Sequence, residues 1–216
     1  MKSIQTKIYL LAAIVLTLAV ANKTQAQVTF GIRGGINFFN INGHNEAGQK
    51  LDNKLKTGFD LGVNIEAPLA QDFYIQPGLL FASKGGKSTI DNGEKATYRL
   101  SYLEVPVNFI YKPEVGTGKL LLGAGPYLGF GLGGKVKSSS GAEADIKFKS
   151  TAGNDPSVGL YYKPVDFGAN LLVGYEFTRH VSVQLNAQLG LTNNSPYKDG
   201  SSYKNTGFGL SLGYRF

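Results

Sequence analysis

The sequence predicts an all-β protein, an eight-stranded antiparallel up-and-down transmembrane β-barrel. Three observations predict it. From Val28 onward apolar residues recur with a period of two in eight segments, and no stretch beyond residue 26 holds a helical period. The apolar face of these segments carries no charge. The opposite face is mostly Gly, Asn, Gln and Ser, a poor exterior in water but a good lining for a narrow lumen. Composition fits: charged residues are 17% and glycines number 29 in 216 residues, against about 25% and about 7% in soluble domains.

The N-terminus reads as an export address. Lys2 and Lys7 form a positive n-region, residues 8–21 are an uncharged apolar run, and Thr24-Gln25-Ala26 is a small-x-small cleavage site. Residues 1–26 are therefore expected to be a cleaved signal peptide, and 27–216 the barrel domain. Removal of Lys2, Lys7 and Lys23 lowers the net charge from +7 to +4, too mild to argue for nucleic acid.

The eight strands follow in order. The first sets Phe30, Ile32, Ile36 and Phe38 against Gly31, Arg33, Gly35 and Asn37. The second, over 55–69, sets Phe59, Leu61, Val63 and Ile65 against Asp60, Asn64 and Glu66. The third sets Phe73, Ile75, Leu79 and Phe81 against Gln76, Leu80 and Ala82. The fourth sets Leu103, Val105, Val107, Phe109 and Tyr111 against Tyr102, Glu104, Pro106 and Asn108. In the fifth Leu122, Ala124, Leu128 and Phe130 oppose Gly123, Gly125, Tyr127 and Gly129. In the sixth Val165, Phe167, Leu171, Val173 and Tyr175 oppose Asp166, Gly168, Asn170 and Glu176. The seventh sets Val183, Leu185 and Leu189 against Gln184, Asn186 and Gln188, and the last sets Phe208, Leu210, Leu212, Tyr214 and Phe216 against Gly209, Ser211, Gly213 and Arg215. Successive side chains leave a pleated backbone on opposite faces, so this alternation is strand.

Connections alternate in length. Those at 70–72, 112–118 and 178–180 are tight, whereas 40–54, 84–97, 134–163 and 192–204 are long, polar and rich in lysine. That alternation is expected of a meander of even strand number whose termini both lie on the short-turn, periplasmic side. Pro77, Pro106 and Pro126 fall inside strands and each removes a ladder donor, so bulges or bridging waters are expected there.

Hydrocarbon explains the uncharged face, because Lys or Arg facing mid-bilayer costs about 2–4 kcal/mol. Phe30, Phe73, Phe109, Tyr111, Tyr175, Tyr214 and Phe216 fall at the short-turn end of that face and read as a lipid-interface girdle. Phe38, Phe59, Phe81, Phe130, Phe167 and Phe208 form its counterpart at the long-loop end. On the lumen face lie Arg33, Asp60, Glu66, Glu104, Asp166, Glu176 and Arg215. Buried charges need partners, so one structural ion-pair network is expected. It places Arg33 and Glu66 at similar heights on adjacent strands, Arg215 closing against the first strand, and Glu104 as shared acceptor.

Chemistry is scarce. With no cysteine and two histidines, cysteine nucleophiles, Cys-ligated metals and iron–sulfur clusters are excluded, and no metal site, cofactor or catalytic residue is expected. His44 and His180 have no motif-defined serine. Gly123-x-Gly125 lies within a strand with no helix after it, and Gly86-Lys87-Ser88 lacks the earlier glycine of a phosphate loop. Lys135, Lys137, Lys147, Lys149 and Lys163 in the longest loop are candidate lipopolysaccharide contacts.

Tyr102-Leu103-Glu104-Val105-Pro106-Val107, with Gly123-Ala124-Gly125-Pro126-Tyr127 and Asp166-Phe167-Gly168, resembles the PorT-like outer-membrane β-barrel family of Bacteroidota, over essentially all of residues 27–216. Residues 211–216 are similar to the terminal strand of outer-membrane proteins, whose final aromatic helps the barrel-insertion machinery recognise its client. The resemblance implies an outer-membrane location and nearly nothing about biochemistry; some relatives serve a protein-secretion and gliding apparatus. The expectation is a monomeric, non-enzymatic barrel in contact with outer-membrane lipid and lipopolysaccharide, acting through external loops. A component of a secretion or envelope-assembly complex, with an envelope protein partner, is the alternative. A narrow pore or a lipid-modifying enzyme comes after it.

Overall fold

Alternation becomes a closed ring. The computed structural model describes residues 28–89, 93–153, 158–177 and 180–216, so residues 1–26 lie outside them. The described strands are β1 (Thr29–His44), β2 (Lys56–Ala70), β3 (Phe73–Thr89), β4 (Lys95–Tyr111), β5 (Glu114–Val115), β6 (Gly118–Ser138), β7 (Glu143–Phe148), β8 (Val158–Tyr162), β9 (Val165–Glu176), β10 (Val181–Gly190) and β11 (Ser202–Arg215). Eight of them make the barrel: β1, β2, β3, β4, β6, β9, β10 and β11 pair antiparallel in that order, and β11 returns to β1. The two-residue β5 folds back on β6 at a turn. On the long-loop side β7 pairs with β6, and β8 runs parallel beside β7.

The faces lie as hydrocarbon requires. Leu185 is 56% exposed and its neighbour Gln184 is 4% exposed. Phe30, Leu122 and Leu212 likewise project outward while Asn37, Asn108 and Ser211 are buried. In water this arrangement would be inside out. Outward aromatics recur eight residues apart on four strands, as Phe30 and Phe38, Phe73 and Phe81, Phe167 and Tyr175, and Phe208 and Phe216. Eight residues on a strand tilted by about 40° rise about 20 Å, near the height of an outer-membrane apolar band.

Two expectations are corrected. Segments 84–97 and 134–163 are not simple loops, since β3 runs to Thr89, β4 begins at Lys95 and β6 continues to Ser138. The period-two signal fades where the outer face leaves hydrocarbon, but backbone pairing continues with polar side chains. Nor do Pro77, Pro106 and Pro126 cause bulges. The ladder skips residues beside Pro77 and Pro106 and resumes in the same register, from Pro77↔Val107 to Leu80↔Glu104 and from Pro106↔Tyr127 to Phe109↔Ala124. Pro126 lies in an unbroken run opposite Ala169. One missing donor costs a local bond without requiring an extra residue. The register shifts instead between Pro68 and Ala70, and between Ser101 and Tyr102, where Leu132 is the extra residue on β6.

Candidate functional site

The lumen is filled in layers. At its short-turn end Lys112 Nζ donates to Glu66 Oε1 at 2.8 Å and to Glu176 Oε2 at 2.9 Å. Arg215 Nη2 lies 2.9 Å from Glu66 Oε2, which also accepts from Gln76 Nε2 at 3.3 Å. Above this, Arg33 Nε is 3.8 Å from Asp60 Oδ1, and its Nη1 donates to Asn186 Oδ1 at 3.4 Å. A cavity of about 30 Å³ adjoins these residues, lined also by Asn37, Glu104 and Gln188.

The next layer centres on Lys84, which has no solvent exposure. Its ammonium lies 2.5 Å from Glu104 Oε1, 3.2 Å from Asp166 Oδ2 and 4.3 Å from the centre of the Tyr127 ring. Asp166 also accepts from Tyr127 Oη at 3.3 Å, Asn194 Nδ2 at 3.1 Å and Asn205 Nδ2 at 3.0 Å. Gln188 Nε2 donates to Glu104 Oε2 at 2.9 Å. Gly168 is required beside them, because a Cβ there would sit 2.6 Å from Tyr127 Cε1 and against the backbone oxygen of Leu189.

Over the Lys84 layer lies an apolar cap of Ile41, Leu100, Tyr102, Ile146 and Tyr162, all buried. β7 brings Ile146 and Phe148 across the mouth, with the Phe148 ring 5.3 Å from Tyr102 and 6.3 Å from Tyr162. Tyr162 in turn lies 5.5 Å from Tyr203. Each layer obstructs the lumen at its own height.

The seven expected lumen charges all face inward but do not form one network. Arg33 and Glu66 are not at one height: Glu66 stands opposite Thr29, and Arg33 stands opposite Gly62 and pairs with Asp60. Glu66, Glu176 and Arg215 meet at one end, Glu104 and Asp166 at the other. The shared member is a donor, Lys84, rather than Glu104. In the sequence Lys84 and Lys112 stand at the starts of the segments 84–97 and 112–118, which read as connections. Two arginines against five carboxylates left too few cations for a buried set, and inward parity, continuing Leu80 and Ala82 to Lys84 and Asn108 and Ile110 to Lys112, supplies them. Tyr102, Glu104, Tyr127, Asp166 and Gly168 of the family-like segments all converge on the Lys84 layer.

The remaining candidates lie outside the lumen. Phe30, Phe73, Phe109, Tyr111, Tyr175, Tyr214 and Phe216 project from the outer wall near the short turns. Phe73 stacks on Tyr111 at 4.8 Å, and Tyr214 meets Phe216 at 5.2 Å. Lys135 and Lys137 point outward to Glu143 at 3.7 and 3.1 Å, and Lys147 alternates with Ile146 on β7. Lys149 lies over the Tyr161 ring at 5.8 Å. Lys163 follows β8, its N–H donating to Asn194. His180 stacks on Tyr214 at the short-turn end, and His44 stands opposite Ser202 at the other, so the two are far apart along the barrel axis. Among the described residues no His, Asp and Glu cluster is arranged to hold a metal ion.

Residues 21–195 match the family described as outer membrane protein beta-barrel domain. No curated protein matches in sequence. Among solved structures, Neisserial surface protein A is 10% identical with a TM-score of 0.49, over 88% of this chain and 99% of that one. A major outer membrane protein from Thermus thermophilus is 12% identical with a TM-score of 0.44, over 88% and 99%. OprG from Pseudomonas aeruginosa is 14% identical with a TM-score of 0.42, over 88% and 97%.

Proposed function

Because the chain belongs to the outer membrane protein beta-barrel domain family, which places it in the bacterial outer membrane, we propose that it is a non-enzymatic barrel acting through the strand extensions and loops it holds outside the cell. One observation carries this reading: ion clusters and an aromatic cap occupy the lumen at successive heights, which leaves the long-loop surface as the place to meet other molecules. Residues 1–26 are its signal peptide, both termini face the periplasm, and the barrel works as a monomer among lipid and lipopolysaccharide. Lys135, Lys137, Lys147, Lys149 and Lys163 serve as cationic contacts of the loop region. In planar bilayers the purified protein is expected to give no conductance. An epitope inserted at 45–49 is expected to label on intact cells while a C-terminal one does not. Steady channels, or the opposite labelling, would overturn the reading.

A second reading is favoured by the family-like segments. Their convergence on the Lys84 layer supports a PorT-like barrel in which the shared residues fill the lumen and the loops recruit a secretion or envelope-assembly partner. Stoichiometric co-purification of an envelope protein from native membranes supports that reading; the barrel recovered alone opposes it.

A further inference from the structure

Beyond the aromatic ring on the long-loop side, the outer wall carries cations brought together by pairing rather than by sequence. Lys54 and Lys87 exchange both backbone hydrogen bonds, at 2.6 and 2.9 Å, so they stand directly opposite and their side chains leave the same face. Lys87 is opposite Thr97 on β4, and Arg99, two residues further along, shares that face. Arg99 is in turn opposite Lys135. Lys54, Lys87 and Arg99 are exposed, and among the described residues none of the three lies within ion-pair distance of a carboxylate, whereas Lys135 and Lys137 share Glu143. Like charges set opposite one another destabilise a sheet. Next to them Lys56 donates to Ser83 Oγ at 3.0 Å.

Height and neighbours indicate which anion fits this face. The Phe59 and Phe81 rings, 5.6 Å apart, mark the edge of the apolar wall. Arg99 lies four residues beyond Leu103, the partner of Phe81, which is about 10 Å higher on a tilted strand. Directly below are exposed Phe59, Leu61 and Leu79. An amphiphile with a phosphorylated head and acyl chains covers both the cations and this wall; a free anion covers only the cations. We propose that this face of β2, β3 and β4 docks the phosphate of an outer-leaflet glycolipid, with Lys54, Lys87 and Arg99 as its contacts. Arg99 offers a planar fork suited to two phosphate oxygens, and the lysines add point charges. The proposal rests on the outer-membrane reading above.

Native mass spectrometry of the refolded full-length barrel in detergent tests it, with diphosphoryl lipid A as probe. The wild type is expected to retain this lipid at least tenfold better than dephosphorylated lipid A. The K54Q/K87Q/R99Q variant is expected to lose that preference, and K198Q/K204Q, altered on the β10–β11 connection and at the start of β11, to keep it. Single K87Q and R99Q variants, each losing part of the preference, guard against misfolding of the triple variant. Equal retention by the triple variant and the wild type would overturn the site, as would full displacement by millimolar inorganic phosphate. Failure of the wild type to insert into vesicles would instead count against the outer-membrane reading itself.

Discussion

Replacing Lys84 by Met tests the lumen chemistry most directly. Methionine keeps a long unbranched stem, so the substitution removes charge with little change in volume. It leaves Glu104 and Asp166, 2.5 and 3.2 Å from the lost ammonium and both buried, without their cation. Breaking a buried ion pair by removing one partner costs about 3–5 kcal/mol. With a urea slope of about 2 kcal/mol/M, the unfolding midpoint falls by about 2 M. The neutral combination K84M/E104Q/D166N is expected to recover most of that loss, because removing a whole buried charge set is often close to neutral. Urea titration in detergent micelles, followed by the change in gel mobility between folded and unfolded barrel, reads both. An unchanged midpoint for K84M would refute the argument. So would a triple variant no more stable than the single one, since the cost would then lie in packing rather than in stranded carboxylates.

Further outcomes follow from other layers of the molecule. The chain has no tryptophan, so F109W and Y127W each supply a single reporter; brominated lipid is expected to quench the first strongly and the second little, and equal quenching would contradict the assignment of faces. F148A loosens the cap but leaves the Lys84 and Lys112 layers intact, so conductance is expected to stay at baseline; channels opened by this change would mean that the cap alone seals the lumen. The hydrogen bond and charge of Lys137 hold the Glu143 carboxyl below the usual glutamate range. Stability from this pair is therefore present above the unfolded-state value and lost as pH falls through the lower folded-state one. Carboxyl carbon titration by NMR is expected to show the low midpoint in the wild type and a higher one in K137Q, where Lys135 still remains beside the carboxylate, and identical midpoints would rule the pairing out.

The contrast between Leu185 and Gln184 shows what could be read directly from the amino acids. A period of two assigns each residue to a face, and the uncharged face then names the solvent, so strand number and the outward face followed. Heights across the barrel did not. Which residue stands opposite Arg33 depends on the stagger between β1 and β2, and alternation is equally satisfied when one strand slides by two residues. That freedom is why Glu66 was expected beside Arg33 where Asp60 stands. Lys84 and Lys112 were hidden for another reason. A lysine at the end of an alternating segment looks like the first residue of a turn; inward parity, with β3 running on to Thr89 past Lys84 and Lys112 directly following β4, puts it in the interior.

The pairing of β1 with β11 sets Gly31 opposite Arg215, at nearly the two ends of the chain. Contacts so distant in sequence are the slowest to form, and this one waits for the C-terminal strand to be synthesised. Until the seam joins, two long strand edges stand open and greasy flanks have no lipid to meet, a form prone to aggregate. A chain truncated within β11 is therefore expected to remain an unsealed, aggregating intermediate however well its first seven staves were made.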